Sequence, residues 1–177
     1  MKKQFLVILC LLLLFTQRSV AFAENIRPIN NTEEIQSRYH MYGRLYIDSA
    51  DINVALFHVN LKEKYGSLRA QIYTDAEDSA AIYQYGVQRI IADHDFQEFE
   101  KLKDVEVDDI ADIQIGTEHY YYKCVKKCLG INNGKLYDDN GNLLSRQNKK
   151  GISMYTCTET EEEILLTVWE IYDAADF

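Results

Sequence analysis

The chain has 177 residues, with 19 Lys and Arg against 28 Asp and Glu and a formal net charge of −9. That acidity excludes nucleic acid and anionic membrane surfaces as main ligands, since both call for a basic face. With 47% hydrophobic residues, one Pro and no repeat or low-complexity tract, the composition is that of a folded domain.

Lys2 and Lys3 precede an apolar run from Phe5 to Phe15, a polar stretch and Ala21-Phe22-Ala23. A charged start, a short apolar core and a small-x-small end read as a secretory signal peptide over residues 1–23. Its eleven apolar residues fall short of the ~20 of a spanning helix, and an uncleaved anchor is the alternative. Removing it leaves 154 residues, enough for one core, with 16 basic against 28 acidic side chains.

Residues 24–42 read as a helical lead-in. Asn31-Thr32-Glu33-Glu34 pairs an N-cap candidate with a Glu three residues on, so a helix is expected to about His40. Leu45 to Ile47 and Ile52 to Val59 are β-prone runs either side of the turn Asp48–Asp51. Leu68 to Tyr73 alternates apolar and polar and is expected as a strand. Glu77 to Tyr85 is expected as a short helix stopped by Gly86. Gln88 to Ala92 is a strand that delivers His94, and Phe96 to Leu102 makes one or two helical turns. Ile110–Ile115, Tyr120–Val125, Ile152–Cys157 and Ile164–Ile171 complete the strands, with turn signals at Asn133-Gly134 and Asn140-Gly141. About eight short strands with two or three small helices predict a mainly β fold, a closed or nearly closed barrel over residues 43–177.

Outside the signal segment the cysteines number three, Cys124, Cys128 and Cys157. An odd count in an oxidising compartment leaves a thiol over. On one unbroken strand Cys124 and Cys128 share a face roughly 13 Å apart, too far for a disulfide unless the chain turns between them. With His119 nearby, Cys-x-x-x-Cys also suggests a metal site, but a fourth ligand is not evident. The acidic loops (Asp75, Glu77 and Asp78; Asp108, Asp109 and Asp112) read as solvated surface, so no metal or cofactor is expected.

The chemistry lies at two strand ends, Ile90-Ile91-Ala92-Asp93-His94 and Ile152-Ser153-Met154-Tyr155-Thr156-Cys157. A thiolate is nucleophilic and an imidazolium donates a proton to a leaving amine, so together they can break an amide through a thioester. Cys157 is the candidate nucleophile and His94 the candidate general acid/base. Asp93 and Asp95 flank the histidine, and a carboxylate that turned inward would favour its protonated form. The loop after Cys157, with Glu159, Glu161, Glu162 and Glu163, works the other way by disfavouring the thiolate.

These residues carry a resemblance. Ile91-Ala92-Asp93-His94, then Phe96, Phe99, Leu102 and Val105 to Ile110, resembles the catalytic-histidine region of sortases, where a strand ends in Gly-His before an aromatic stretch. Met154-Tyr155-Thr156-Cys157 is similar to that family's Thr-Leu-x-Thr-Cys strand end, and the 63-residue separation of His from Cys also fits. The resemblance implies a sortase-like barrel and a peptide sorting signal and an amine acceptor as partners. Asp93 stands in place of the family's Gly, and Ser153-Met154 in place of its Thr-Leu. No Arg or Lys follows Cys157, where the family carries an Arg that steadies substrate and oxyanion. Losing one such donor costs about 10²–10³ in rate. Arg146, Lys149 or Lys150, before Cys157, are the possible substitutes.

Two function classes follow: a secreted or cell-surface cysteine transpeptidase cleaving a threonyl bond of a cell-wall sorting signal, or a catalytically impaired binding or accessory domain of that fold. A redox role for the three cysteines is a thinner alternative, without a Cys-x-x-Cys to support it. Membrane contact is expected only if the signal segment is retained.

Overall fold

The structure is a computed structural model that describes residues 39–147, 151–160 and 162–172. The signal segment, residues 31–38 of the expected first helix, Lys149, Lys150 and Glu161 lie outside the described residues.

Nine strands form one sheet: β1 (Gly43–Ile47), β2 (Ile52–Val59), β3 (Ser79–Tyr85), β4 (Gln88–Ala92), β5 (Ile110–Ile115), β6 (Glu118–Asn132), β7 (Leu136–Tyr137), β8 (Ile152–Cys157) and β9 (Glu163–Ile171). Their order is β5-β1-β2-β3-β4-β8-β9-β6-β7, and a further pairing of β5 with β6 closes eight of them into a barrel, with β7 an appendage of β6. Closure leaves the eight strands no open edge. Two neighbouring pairs are parallel, β2 with β3 and β4 with β8, and each needs a long crossover. Helix α1 (Gly66–Thr74) makes the first.

Alternation along the strands divides the apolar side chains into two layers. Leu45, Val54, Leu56, Ile82, Ile91, Met154 and Trp169 fill the barrel. Ala55, Phe57, Tyr83, Ile90, Ala92 and Leu166 face outward under α1, β7 and the 3-10 helix Leu144–Arg146, which contribute Tyr73, Leu136 and Leu144. A second 3-10 helix, Glu98–Asp104, plugs one mouth of the barrel with Phe99 and Leu102, both fully buried. The plug follows His94 directly, so that mouth is where the candidate site lies.

Two expected elements exchange type. Leu68–Tyr73 is helical and lays Ala70 and Tyr73, three residues apart, against the outer layer. Ser79–Tyr85 is a strand whose first five residues are all buried, with Ala80 and Ile82 inward and Ala81 and Tyr83 outward. A two-sided strand shows no alternation, and its alanines imitate a helix. Gly86 is not a helix stop but half of a two-residue hairpin, with φ +62°.

β6 runs well beyond Val125, and a bulge between Cys124 and Lys126 turns its face over. Cys124 therefore pairs with Trp169 and points into the barrel, while Cys128 pairs with Leu166 and packs in the outer layer. The expected shared face is lost, and Cys124, Cys128 and Cys157 are all free thiols.

Candidate active site

β4 and β8 run parallel with Ala92 opposite Tyr155, and the Asp93 amide continues the ladder to the Tyr155 carbonyl at 3.4 Å. His94 and Cys157 each follow that pair by two residues along the chain. Ala92 and Tyr155 belong to the outer layer, so with a period of two both chemical residues follow on the outer face. Local sequence explains the geometry: Ile90-Ile91-Ala92 is buried on both faces, and the strand ends where Asp93 and His94 reach the rim. Cys157 is exposed, the last residue of β8, opposite Ile164 of β9.

The imidazole is held from three sides. Nε2 lies 3.3 Å from Thr74 Oγ1 and 3.2 Å from Asp75 Oδ1, and the Phe96 ring stacks on it at 4.8 Å and 12°. Thr74 ends α1 and Asp75 caps it, so the end of one helix supplies both polar partners of the ring. With Nε2 engaged, Nδ1 is the ring nitrogen left to exchange a proton. Thr74 and Asp75 were missed as histidine partners because α1 reads as a strand. A helix ending at Thr74-Asp75 ahead of a chain reversal is the signal that finds them.

The thiol is held in its neutral form. Burial pushes the Cys157 pKa up, and the Asp95 carboxylate adds to the rise. Among the described residues the acting carboxylate is Asp95 rather than Glu159, Glu162 or Glu163. That loop is a tight turn in which the Thr158 amide donates to the Glu163 carbonyl at 3.2 Å and the Thr158 hydroxyl to Glu163 Oε1 at 3.3 Å.

Arg146 does not reach the pair. The Val87 amide donates to the Ser145 carbonyl, and Gln88 Nε2 to that of Leu144, which fixes this 3-10 helix at the start of β4. His94 lies past the other end of that strand, roughly 20 Å along it at 3.3 Å per residue. The other described arginines are engaged elsewhere: Arg44 with Asn53, Arg69 with Glu63 and Arg89 with Tyr42. His119 pairs with Asp112 at 2.8 Å on the opposite wall, beside a hollow of about 600 Å³ lined by Tyr46 and Tyr121. It takes no part in a cysteine cluster, and among the described residues no group of three His, Cys, Asp or Glu is arranged to hold a metal ion.

Beside the pair, the outer face of β3, β4 and β8 offers a tyrosine-rich wall. Tyr83 and Tyr155 hydroxyls meet at 3.2 Å, and Tyr85 accepts the Leu136 amide at 3.1 Å. An eight-stranded barrel of this strand order has clear counterparts among solved structures. The fold is that of the sortases. A Clostridium perfringens sortase D5 transpeptidase superposes with a TM-score of 0.56 at 12% identity over 81% of this chain and 91% of its own. A C. perfringens sortase C, solved in an intermolecular complex with the C-terminal cell wall sorting signal motif, gives 0.55 at 14% over 76% and 67%. Sortase E1 from Streptomyces coelicolor, solved with a tripeptide in its active site, gives 0.54 at 13% over 75% and 88%. No protein-family profile matches the chain, and no curated protein matches it in sequence.

Proposed function

We propose that the chain is a cysteine transpeptidase of the cell envelope that acts on a threonyl peptide bond in a surface-protein sorting signal. The observation that supports the reading is the parallel β4–β8 register, in which Ala92 lies opposite Tyr155 two residues before His94 and Cys157. Delivery by residues 1–23 supports the location, and the sortase fold supports a peptide as partner.

In the reaction the Cys157 proton passes to His94, and the sulfur attacks the threonyl carbonyl carbon. The C–N bond then breaks, the departing amine takes the proton from the imidazolium, and the acyl group remains on sulfur as a thioester. An acceptor amine completes transpeptidation by attacking the thioester, and its displaced proton returns to the thiolate through His94. Asp75 and Thr74 hold the ring and Phe96 covers one face. The raised thiol pKa and the engagement of Arg44, Arg69 and Arg89 with other partners make turnover slow.

The same two observations support a second reading, a sortase-fold binding domain that has lost turnover. Incubation with a pool of threonyl peptides, with hydroxylamine as acceptor amine, separates the two. A transpeptidase yields hydroxamates that end at threonine and vanish in Cys157→Ala, while a binding domain retains peptide and yields none.

A further inference from the structure

The barrel mouth opposite the plug is lined by polar and aromatic side chains. Along β2, β3, β4 and β6 the inward rows hold Leu56, Ile82, Ile91 and Tyr122. One period of two nearer this mouth, the same rows present His58, Gln84, Arg89 and Tyr120. Gln84 lies opposite Arg89, and Arg89 opposite Ile152. Three hollows of about 380, 200 and 120 Å³ open here, and Arg89 lines all three. Ile82, Ile113 and Ile152 make an apolar floor, and Tyr42, Tyr120 and Tyr122 stand around it. Among the described residues no Lys, Asp or Glu lines any of the three, so the guanidinium is the one fixed charge facing them. Its Nη1 donates to the Tyr42 hydroxyl at 3.2 Å, a neutral acceptor, which leaves most of its N–H donors for a ligand. Glu118, next to this mouth in β6, accepts the Tyr120 hydroxyl.

We propose that this mouth binds a small organic monocarboxylate, its carboxylate on Arg89 and its aliphatic or aromatic body over Ile82, Ile113 and Ile152. The planar guanidinium fork matches a carboxylate in geometry as well as in charge. One cation balances one negative charge, whereas a doubly charged phosphate calls for a second that the described lining does not offer. The apolar floor and tyrosine walls add burial for the body of the ligand, as in other ligand sites at barrel mouths. Arg89 lies near the start of β4 and His94 past its end, roughly 16 Å along the strand. The site is therefore separate from Cys157 and His94 and does not rest on their reading as a working pair.

The test titrates the whole chain with phenylacetate, with its neutral amide phenylacetamide and with inorganic phosphate. Binding is read from the Arg89 Nε–H resonance, the backbone amides and calorimetry. Phenylacetate should bind saturably and shift Arg89 Nε–H together with the amides of Gln84, Tyr120 and Ile152. Phenylacetamide should bind at least about tenfold more weakly, because it lacks the charge that the guanidinium meets. Arg89→Gln should lose about tenfold in affinity for phenylacetate and little for the amide, and Arg89→Lys, which keeps the charge without the fork, should fall between. The comparison of acid with amide on the parent chain decides the matter if a variant fails to fold. No saturable binding of phenylacetate, equal affinity for acid and amide, or unchanged affinity in Arg89→Gln overturns the proposal. Phosphate held at Arg89 as tightly as phenylacetate also overturns it, since the apolar floor then adds nothing.

Discussion

Replacing Asp93 by Asn should stabilise the protein, by an amount that grows with pH. Burial pushes the Asp93 carboxyl from its ordinary 3.8 up to about 8, against the hydrogen bond it accepts from the His94 amide. Between those two values the folded state holds the proton that the unfolded state has released. Stability from this group is therefore fully present below about pH 4 and is lost as pH rises through 8. Four pH units at about 1.36 kcal/mol each amount to about 5 kcal/mol. Local opening that lets water reach the carboxylate lowers the observed cost, so a gain of about 2–5 kcal/mol for Asn at pH 8 is expected, against about 0 at pH 4. Urea titrations of both proteins at pH 4, 6 and 8 measure the difference, and comparing the two cancels the other carboxylates. A gain that stays constant across the three pH values refutes the reasoning.

Asp95→Asn removes the carboxylate that disfavours the Cys157 thiolate, and iodoacetamide alkylation of Cys157 at pH 7.5 should speed up about two- to fivefold, as read by intact mass. The three free cysteines should react in order of environment, with exposed Cys157 first and Cys124 last. Burial pushes the Cys124 thiol up to about 11, and quantitative peptide mapping after a short pulse reports the order. Gly86→Ala should cost about 2–4 kcal/mol, because the position has φ +62° and an added Cβ would lie 2.1 Å from the Ser145 carbonyl oxygen. Thermal unfolding measures that cost. Asp75→Ala frees Nε2 of its carboxylate partner, and His94-dependent labelling of Cys157 should fall about tenfold with little change in melting temperature.

Much of the barrel is legible in the residues, because most of its strands keep an inward–outward alternation or end at a turn residue. β4 and β8 have the expected bounds, and Gly134 and Gly141 take the positive φ expected of their turns. What was misread is what alternation cannot report. Ser79–Tyr85 is buried on both sides, and Leu68–Tyr73 is six residues long, too short for a period of 2 to be told from 3.6. The bulge at Val125 inserts one residue and reverses the side of every later one, so the relation of Cys124 to Cys128 depends on register rather than spacing. At the site, His94 and Cys157 stand out because each ends an apolar run. Asp75 and Thr74 meet the imidazole only through the β2–α1–β3 crossover, which chain order does not reveal. Arg146 drew attention by its nearness to Cys157 in the chain, yet β8 carries the two to opposite ends of the barrel wall.

The electrostatics of the pair frame the central question. A carboxylate and a helix C-terminus lie beside the imidazole, while burial and Asp95 push the Cys157 thiol up.

The most direct test of the Cys157–His94 pairing is intact-mass spectrometry of residues 24–177 after exposure to an electrophilic warhead on a threonyl peptide, with Cys157→Ala and His94→Ala alongside. Working partners require a single adduct on Cys157 that forms at least about tenfold more slowly without His94. Equal rates with and without His94, matching those of a free thiol, would contradict the pairing.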